Sequence, residues 1–505
     1  ISFAKFEIDS EDPPTVEGFK VAKNSHFTAI ADNNLQCKFS SCYDVDIYPI
    51  HLSLPHFESA DESSLFGQET KSVISFSISG VNALLSDIKL DKLRIFIDSD
   101  YKSAGIFREL ILGKSTEIFL VDKNTGQSKS LGVEAIKPVG FDIADSVLYS
   151  DVEEHPSLRL LREFIIEPNK FMFFDLVDFN FPFSSYSVEI LIGLSDNPPK
   201  SLNINKVNLA NHVTPVINSF DKLAEPIRLL PSKFEYAINP ELGQEENYAI
   251  LRVNSLKVSM PGIETAEDVP NVFESEVIGD LKTLSWHVSF ANDFKSINTA
   301  KVLFIGDLNA NKKIESGIAL ATVTCHNSDL PEHVVPGTKL LSNFEIPAKI
   351  EIFRFATKAI PRQNNNESIW KIAGHMDFSI KNIFEGNDAK SSAKNLTDIL
   401  KVYAPRGDSN FEKDLDGIVD LYYKTSVERT SFEGAVDFVE GIAVFMVVNP
   451  QLFLETNLYL FCDVINEILS MLVSVNSFCK LNVATTDNPE NWVTWKRGTY
   501  GKAII

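Results

Sequence analysis

Between residue 1 and about residue 355, apolar and polar side chains exchange places at every second position in runs rich in β-branched and aromatic residues. Examples are CKFSSCYDVDIYPIHLSL, SVISFSISG, KLRIFID, STEIFLVD, VEILIGL, NYAILRVNSLKV, KVLFIGDL and KIEIFRFA. A period of two puts one set of side chains on one face of a strand, whereas a helix would scatter that set around its axis. Such a chain must form sheets. KFMFFDLVDF carries apolar groups on both faces, so that strand is expected to be covered on both sides. Two stretches change period: SAGIFRELILG, ending at Gly113, and HPSLRLLREFI, opened by Pro156 and Ser157, read as short helices.

At 505 residues the chain is too long for one hydrophobic core. The polar, aperiodic PRQNNNES at 361–368 marks one boundary, and a second is expected near 225. The reading is therefore an N-terminal β-rich domain at 1–225, a central β domain at 226–360 and a C-terminal α+β domain at 361–505. In the last, NLTDILKVYAP reads as a helix, GIVDLYYKTSVER and AVDFVEGIAVFMVVN as strands, and 457–478 as a long amphipathic helix. The fold class is α+β, β-rich and multidomain, with antiparallel and mixed sheets.

The 457–478 stretch, NLYLFCDVINEILSMLVSVNSF, is long enough to span a bilayer. Asp463, Asn466, Glu467, Ser470, Ser474 and Ser477 nevertheless recur along one stripe, opposite Phe461, Ile465, Ile468 and Leu472, and charges at a bilayer centre cost roughly 2.5–3.5 kcal/mol each. A helix that packs by its apolar face is expected, against its own core or a partner, and not a membrane span. The opening ISFAKFEI alternates like a strand and lacks the features of a signal peptide. A net charge of −22 repels phosphate backbones, which argues against nucleic acid as a partner. Five cysteines are too few for a disulfide framework and fit a reducing cytoplasm.

Local chemical signatures fail one by one. Gly113-Lys114-Ser115 resembles the end of a phosphate-binding loop, but Arg108 stands where that loop needs glycine, and a helix ends where one should begin. In 412–423, Asp414, Asp416 and Gly417 fit a calcium loop, while Glu412 and Tyr423 occupy its first and last positions and leave coordination open. Cys325, His326 and His333 lack zinc spacing. No catalytic, cofactor-binding or metal-ligating set is assigned.

One stretch suggests shape. In TPVINSFDKLAEPIRL, residues 214–229, Ile217, Phe220, Leu223 and Ala224 trace a short helical face, and Pro226 excludes helical backbone at Glu225. Pro215, Phe220, Glu225, Pro226 and Arg228 are read as a rigid structural elbow, with Glu225 and Arg228 placed to pair across the kink.

That segment, with CKFSSCYDVDIYPI, SLRLLREFIIEPNKFMFFDL, TCHNSDLP, WKIAGHMDFSI, LYLFCDVINEILSMLVSVNSFCKL and the terminal WKRG, resembles the TssF (VasA, ImpG) family of type VI secretion baseplate subunits, in the family's order from about residue 2 to 498. Val213 stands where the family would carry Cys, Ser285–Val288 replaces a more basic stretch, and the family's N-terminal helical segment is absent from the sequence. The resemblance implies an elongated baseplate-wedge architecture and a non-enzymatic cytoplasmic scaffold. It also implies TssG-, TssK- and TssE-like partners and a second copy of the chain, with spike, hub and sheath nearby and docking to the inner membrane complex through partners. Two other readings stand beside it. Trp286, Trp370, Trp492, Trp495 and the 69 acids suggest a carbohydrate-binding or carbohydrate-active β protein. A peptide- or effector-binding adaptor within the same machine is the third.

Overall fold

The computed structural model describes the chain except residues 32–34, 61–64, 150–154, 179–180, 231–232, 234, 244–246, 260–264, 274–283, 294–295, 306–316, 361–379, 386–387, 404–408, 433–434, 455, 474–476, 496–498 and 501–505. The expected PRQNNNES boundary, Trp370, WKIAGHMDFSI except its final Ile380, and most of the terminal WKRG lie outside the described residues. Elsewhere the period-two runs are strands, arranged almost wholly antiparallel, and the fold is β-rich α+β.

The alternation explains three separate cores. In the first, Ser72–Gly80, Ser187–Leu194 and Ser115–Asp122 lie side by side in one sheet, and Lys92–Asp98, Phe173–Val177 and Asn208–Asn211 in another. Phe173–Leu176 is buried on both faces, as its sequence requires; the residues before it, Pro168–Phe171, form a 3-10 turn instead of strand. The second core lies between the Ala249–Ser259/Ile318–His326 sheet and the Glu235–Ile238/Ser296–Ile305/Ser285–Asp293 sheet. The third backs a six-stranded sheet in which Ser2–Glu7 sits between Val213–Ile217 and Lys349–Arg354.

These cores do not follow the expected limits at 225 and 360. The first contains Phe3 through Val213 and also Ile383 through Trp495, so the two ends of the chain share one interior. Lys349–Arg354, expected in the middle domain, belongs to the sheet of the first strand. Contacts distant in sequence are invisible to a reading that advances window by window.

Helices Tyr101–Gly113 and Pro156–Ile166 form where the period changes, and Asp100 and His155 cap them by accepting from the Ser103 and Ser157 amides. The C-terminal unit holds helix Ala389–Tyr403 and the long hairpin Ile418–Phe432/Ala435–Val448. Strand Ala435–Val448 pairs in parallel with Phe478–Thr485, and a parallel pair needs a crossover. Helix Leu458–Leu472 supplies it, begun by the Asn457 side chain accepting from the Leu460 amide.

That crossover corrects the expected 457–478 helix twice. It ends at Leu472, and Phe478 already opens a strand. It is also enclosed on all sides instead of presenting a wet polar stripe: Asp463, Asn466, Glu467 and Ser470 are buried along with Phe461, Ile465 and Ile468. A helix packed between the Phe478–Thr485 sheet and helices Tyr101–Gly113 and Pro156–Ile166 has no solvent face, so each polar group must find a protein partner.

Candidate interaction surfaces

The proposed elbow is made of strands, not of a helix and kink. Val213–Ile217 pairs with the first strand and begins to pair with Gln36–Ser41 at Val216; Phe220–Leu223 and Ile227–Arg228 then pair with Ile318–His326 of another sheet. The three-residue spacing that mimicked a helix comes from a sheet change between Ile217 and Phe220. Pro215, which has no amide to donate, precedes the start of the ladder to Gln36–Ser41, where its loss is tolerated. Phe220 is buried against Tyr248, while Pro226 and Arg228 are exposed and Glu225 is half-buried. No ion pair joins Glu225 to Arg228 among the described residues; the Glu225 amide instead donates to Asn239 O at 2.9 Å.

The corner is fixed by residues the sequence did not flag. Asn218 Oδ1 accepts from the Asn327 amide at 2.6 Å, its Nδ2 donates to Asn327 Oδ1 at 2.9 Å, and Asn327 Oδ1 also accepts from the Lys38 amide at 3.1 Å. Both asparagines are buried, so this clasp ties the second core to the third in a place where water does not compete. A polar pair inside NSF and HNSD was the available signal.

Of the proposed face, Phe461, Ile465 and Ile468 are buried in the first core, and Leu472 is half-buried against it. Behind it lies a buried ionic centre. Arg108 Nη2 donates to Asp463 Oδ2 at 2.7 Å, Arg108 Nε to Phe171 O at 2.9 Å, and Trp495 Nε1 to Asp463 Oδ1 at 2.8 Å. Trp286 is likewise internal, donating to Val269 O, and Trp492 packs against Phe445. The residues of the failed motifs also serve structure. Lys114 pairs with Asp196 and Ser115 caps Ile111 O, while Asp414 accepts from the Leu454 and Thr456 amides. Gly113 keeps helical backbone and lies close under the Tyr459 ring, which a Cβ there would approach to 2.9 Å. Burial pushes the Cys37, Cys42, Cys325 and Cys479 thiols up to about 12, away from reactivity.

A cleft of about 1440 Å³ lies where the three cores meet. Its wall at 143–148 is held from below. Glu163 Oε1 accepts from the Val147 and Leu148 amides, Glu163 Oε2 takes Arg159 and Lys170, and Lys170 also reaches Asp145 O. Burial lowers the Lys170 ammonium pKa, and the Glu163 carboxylate works against that shift. Three cations then bridge the cores in turn. Lys23 donates to Ala144 O at 2.7 Å and Ser146 O at 3.2 Å, Lys38 lies 5.1 Å from the Phe220 ring, and Arg252 lies 4.0 Å from the Tyr149 ring. Among the described residues no group of three His, Cys, Asp or Glu side chains gathers at metal-binding distance.

The sequence model of the family "Type VI secretion system, TssF" matches residues 1–500. The chain belongs to the TssF family. A curated relative, the type VI secretion system component TssF1 of Pseudomonas aeruginosa, is 19% identical over 491 residues, covering 91% of this chain and 78% of the relative. A chain in the cryo-electron microscopy structure of the type VI secretion system TssK-TssF-TssG baseplate subcomplex superposes with a TM-score of 0.78 at 16% identity, covering 99% of this chain and 91% of that one. A chain of the baseplate complex from the type VI secretion system gives 0.59 at 15% identity, covering 99% and 84%. The three-core arrangement is thus a TssF fold, kept while most side chains have changed.

Proposed function

We propose that this chain is a structural subunit of a type VI secretion baseplate, assembling with TssG-like and TssK-like proteins and contributing surfaces instead of a reaction. The family match across residues 1–500 carries the reading. Its site residues agree with it: the ionisable groups of the interior are spent on capping loops and pairing with one another, and the thiols are held protonated. In this reading Pro215, Phe220, Glu225, Pro226 and Arg228 belong to a shape-determining segment that fixes one sheet against the next.

The finer assembly extends to a TssE-like protein and a second copy of the chain, with the spike, hub and sheath as neighbours. It works in the cytoplasm and docks at the inner membrane complex through partners. No helix among the described residues is long and apolar enough to cross a membrane, which is consistent with attachment through other chains. Co-expression with TssG-like and TssK-like proteins from the same genome tests the reading. A stable ternary complex on size exclusion is expected; a chain that elutes alone from both would refute it.

A further inference from the structure

We propose that the cleft at the junction of the three cores is a docking groove for an acidic, apolar-flanked segment of a neighbouring protein chain. The inference rests on the baseplate reading and names the chemistry of one contact within it. Carboxylates outnumber cations in the chain, 69 to 47. Among the described residues the cleft lining reverses that balance, with Lys23, Lys38, Arg159 and Arg252 against Asp142 and Asp221. Asp221 is itself engaged, accepting from Thr324 Oγ1 at 2.6 Å and Asn254 Nδ2 at 3.0 Å. Neither Lys23 nor Lys38 has a carboxylate within ion-pair distance among the described residues, and Arg159 Nη2 is buried without a hydrogen-bond partner.

Apolar anchors accompany the charge. Ile143 is 65% exposed and Tyr149 50%, and both lie on the wall that Glu163, Lys170 and Lys23 hold in place. A volume of about 1440 Å³ exceeds the roughly 300–1,000 Å³ typical of small-ligand sites and suits a length of polypeptide. A nucleic acid would fit the cations locally, but its charge continues past the groove onto a surface of net −22, which repels it. A segment with a few carboxylates meets the groove and ends there. Because Lys23, Lys38 and Arg252 each touch two cores, an occupant that engages them also braces the cores against one another.

The test uses the purified full chain and two fluorescein-labelled dodecapeptides of equal apolar content, one bearing glutamates and the other lysines at the same places, read by anisotropy. The glutamate peptide is expected to bind and the lysine peptide not. The double variant Lys38→Glu/Arg252→Glu should weaken binding by about tenfold or more, and the surface control Lys102→Glu should leave it unchanged. Equal binding of both peptides, no binding, or indifference to the double variant overturns the proposal. So does tighter binding of a labelled single-stranded oligonucleotide at about 0.15 M salt. In the assembled complex, a photo-crosslinker at Ile143 should capture a partner peptide rich in Asp or Glu; a captured peptide without carboxylates counts against the groove. A chain that binds the glutamate peptide but neither baseplate partner keeps the groove and loses the baseplate reading. A chain that forms the complex yet ignores the peptide and the charge reversal does the opposite.

Discussion

Asp463→Asn is the sharpest probe of the interior. The side chains of Arg108 and Asp463 are 1% and 4% exposed, and Asp463 is the carboxylate that neutralises the Arg108 guanidinium. Asparagine keeps an oxygen for Trp495 Nε1 and nearly the same volume, but turns an amide NH2 toward Arg108, so the change removes the charge and the acceptor that Arg108 uses. Arg108 has no reserve, since its Nη1 already lacks a hydrogen-bond partner. Breaking a buried pair by removing one partner costs about 3–5 kcal/mol. At about 1.36 kcal/mol per factor of ten, the opening equilibrium of helix Leu458–Leu472 should rise by about two to almost four orders of magnitude. Hydrogen exchange followed by mass spectrometry on peptides covering that helix reads this locally and needs no two-state assumption for a chain with three cores. Adding Arg108→Met removes the stranded charge and should restore most of the protection. If the second substitution instead adds its own loss to the first, the guanidinium was not the source of the cost and the reasoning fails.

Three further outcomes follow from the packing of the interior. His212 is enclosed, its Nε2 accepts from the Tyr48 amide, and burial, with smaller contributions from His51 and Lys5, lowers its pKa from 6.5 to about 3. The unfolded chain therefore binds a proton below about pH 6.5 that the folded chain refuses, so this stability is present above that pH and shrinks by about 2 kcal/mol by pH 5. His212→Asn, which tolerates the local φ of +54°, should flatten that part of the stability–pH curve, and an unchanged slope would count against it. Gly441→Ala would set a Cβ 2.4 Å from Phe478 O, which is backbone and cannot swing aside; a loss of about 1–3 kcal/mol and faster exchange in Phe478–Thr485 are expected, and an unaltered melting temperature would contradict the packing. The five buried cysteines should resist a thiol reagent in the native chain and all react in denaturant, whereas rapid native labelling of any one would show that its core opens.

Much of the fold was legible because alternation and helical spacing are local. Tyr101–Gly113, Pro156–Ile166, Ala389–Tyr403 and the 418–448 hairpin lie where the periods place them. What misled was local pattern with a non-local cause. Ile217 and Phe220 are three residues apart because the chain changes sheet at Asn218, and the polar stripe of Leu458–Leu472 faces protein because residues hundreds of positions away cover it. The cleft was hidden for the same reason: Lys23, Lys38 and Arg252 meet only once three cores are assembled. Arg159 and Glu163, four apart on one helix, were visible as a pair, but their burial was not.

The first strand, Ser2–Glu7, is sandwiched between Val213–Ile217 and Lys349–Arg354, and Phe3 shares an interior with Trp495. On the ribosome, at about 5–20 residues per second, that opening strand waits on the order of 20–70 s before its second neighbour exists. The interior it helps line cannot close until Trp495 has been made. For all that time its apolar face lacks its native cover and its edges lack their strands, which makes the growing chain a target for misassembly that the finished fold no longer offers.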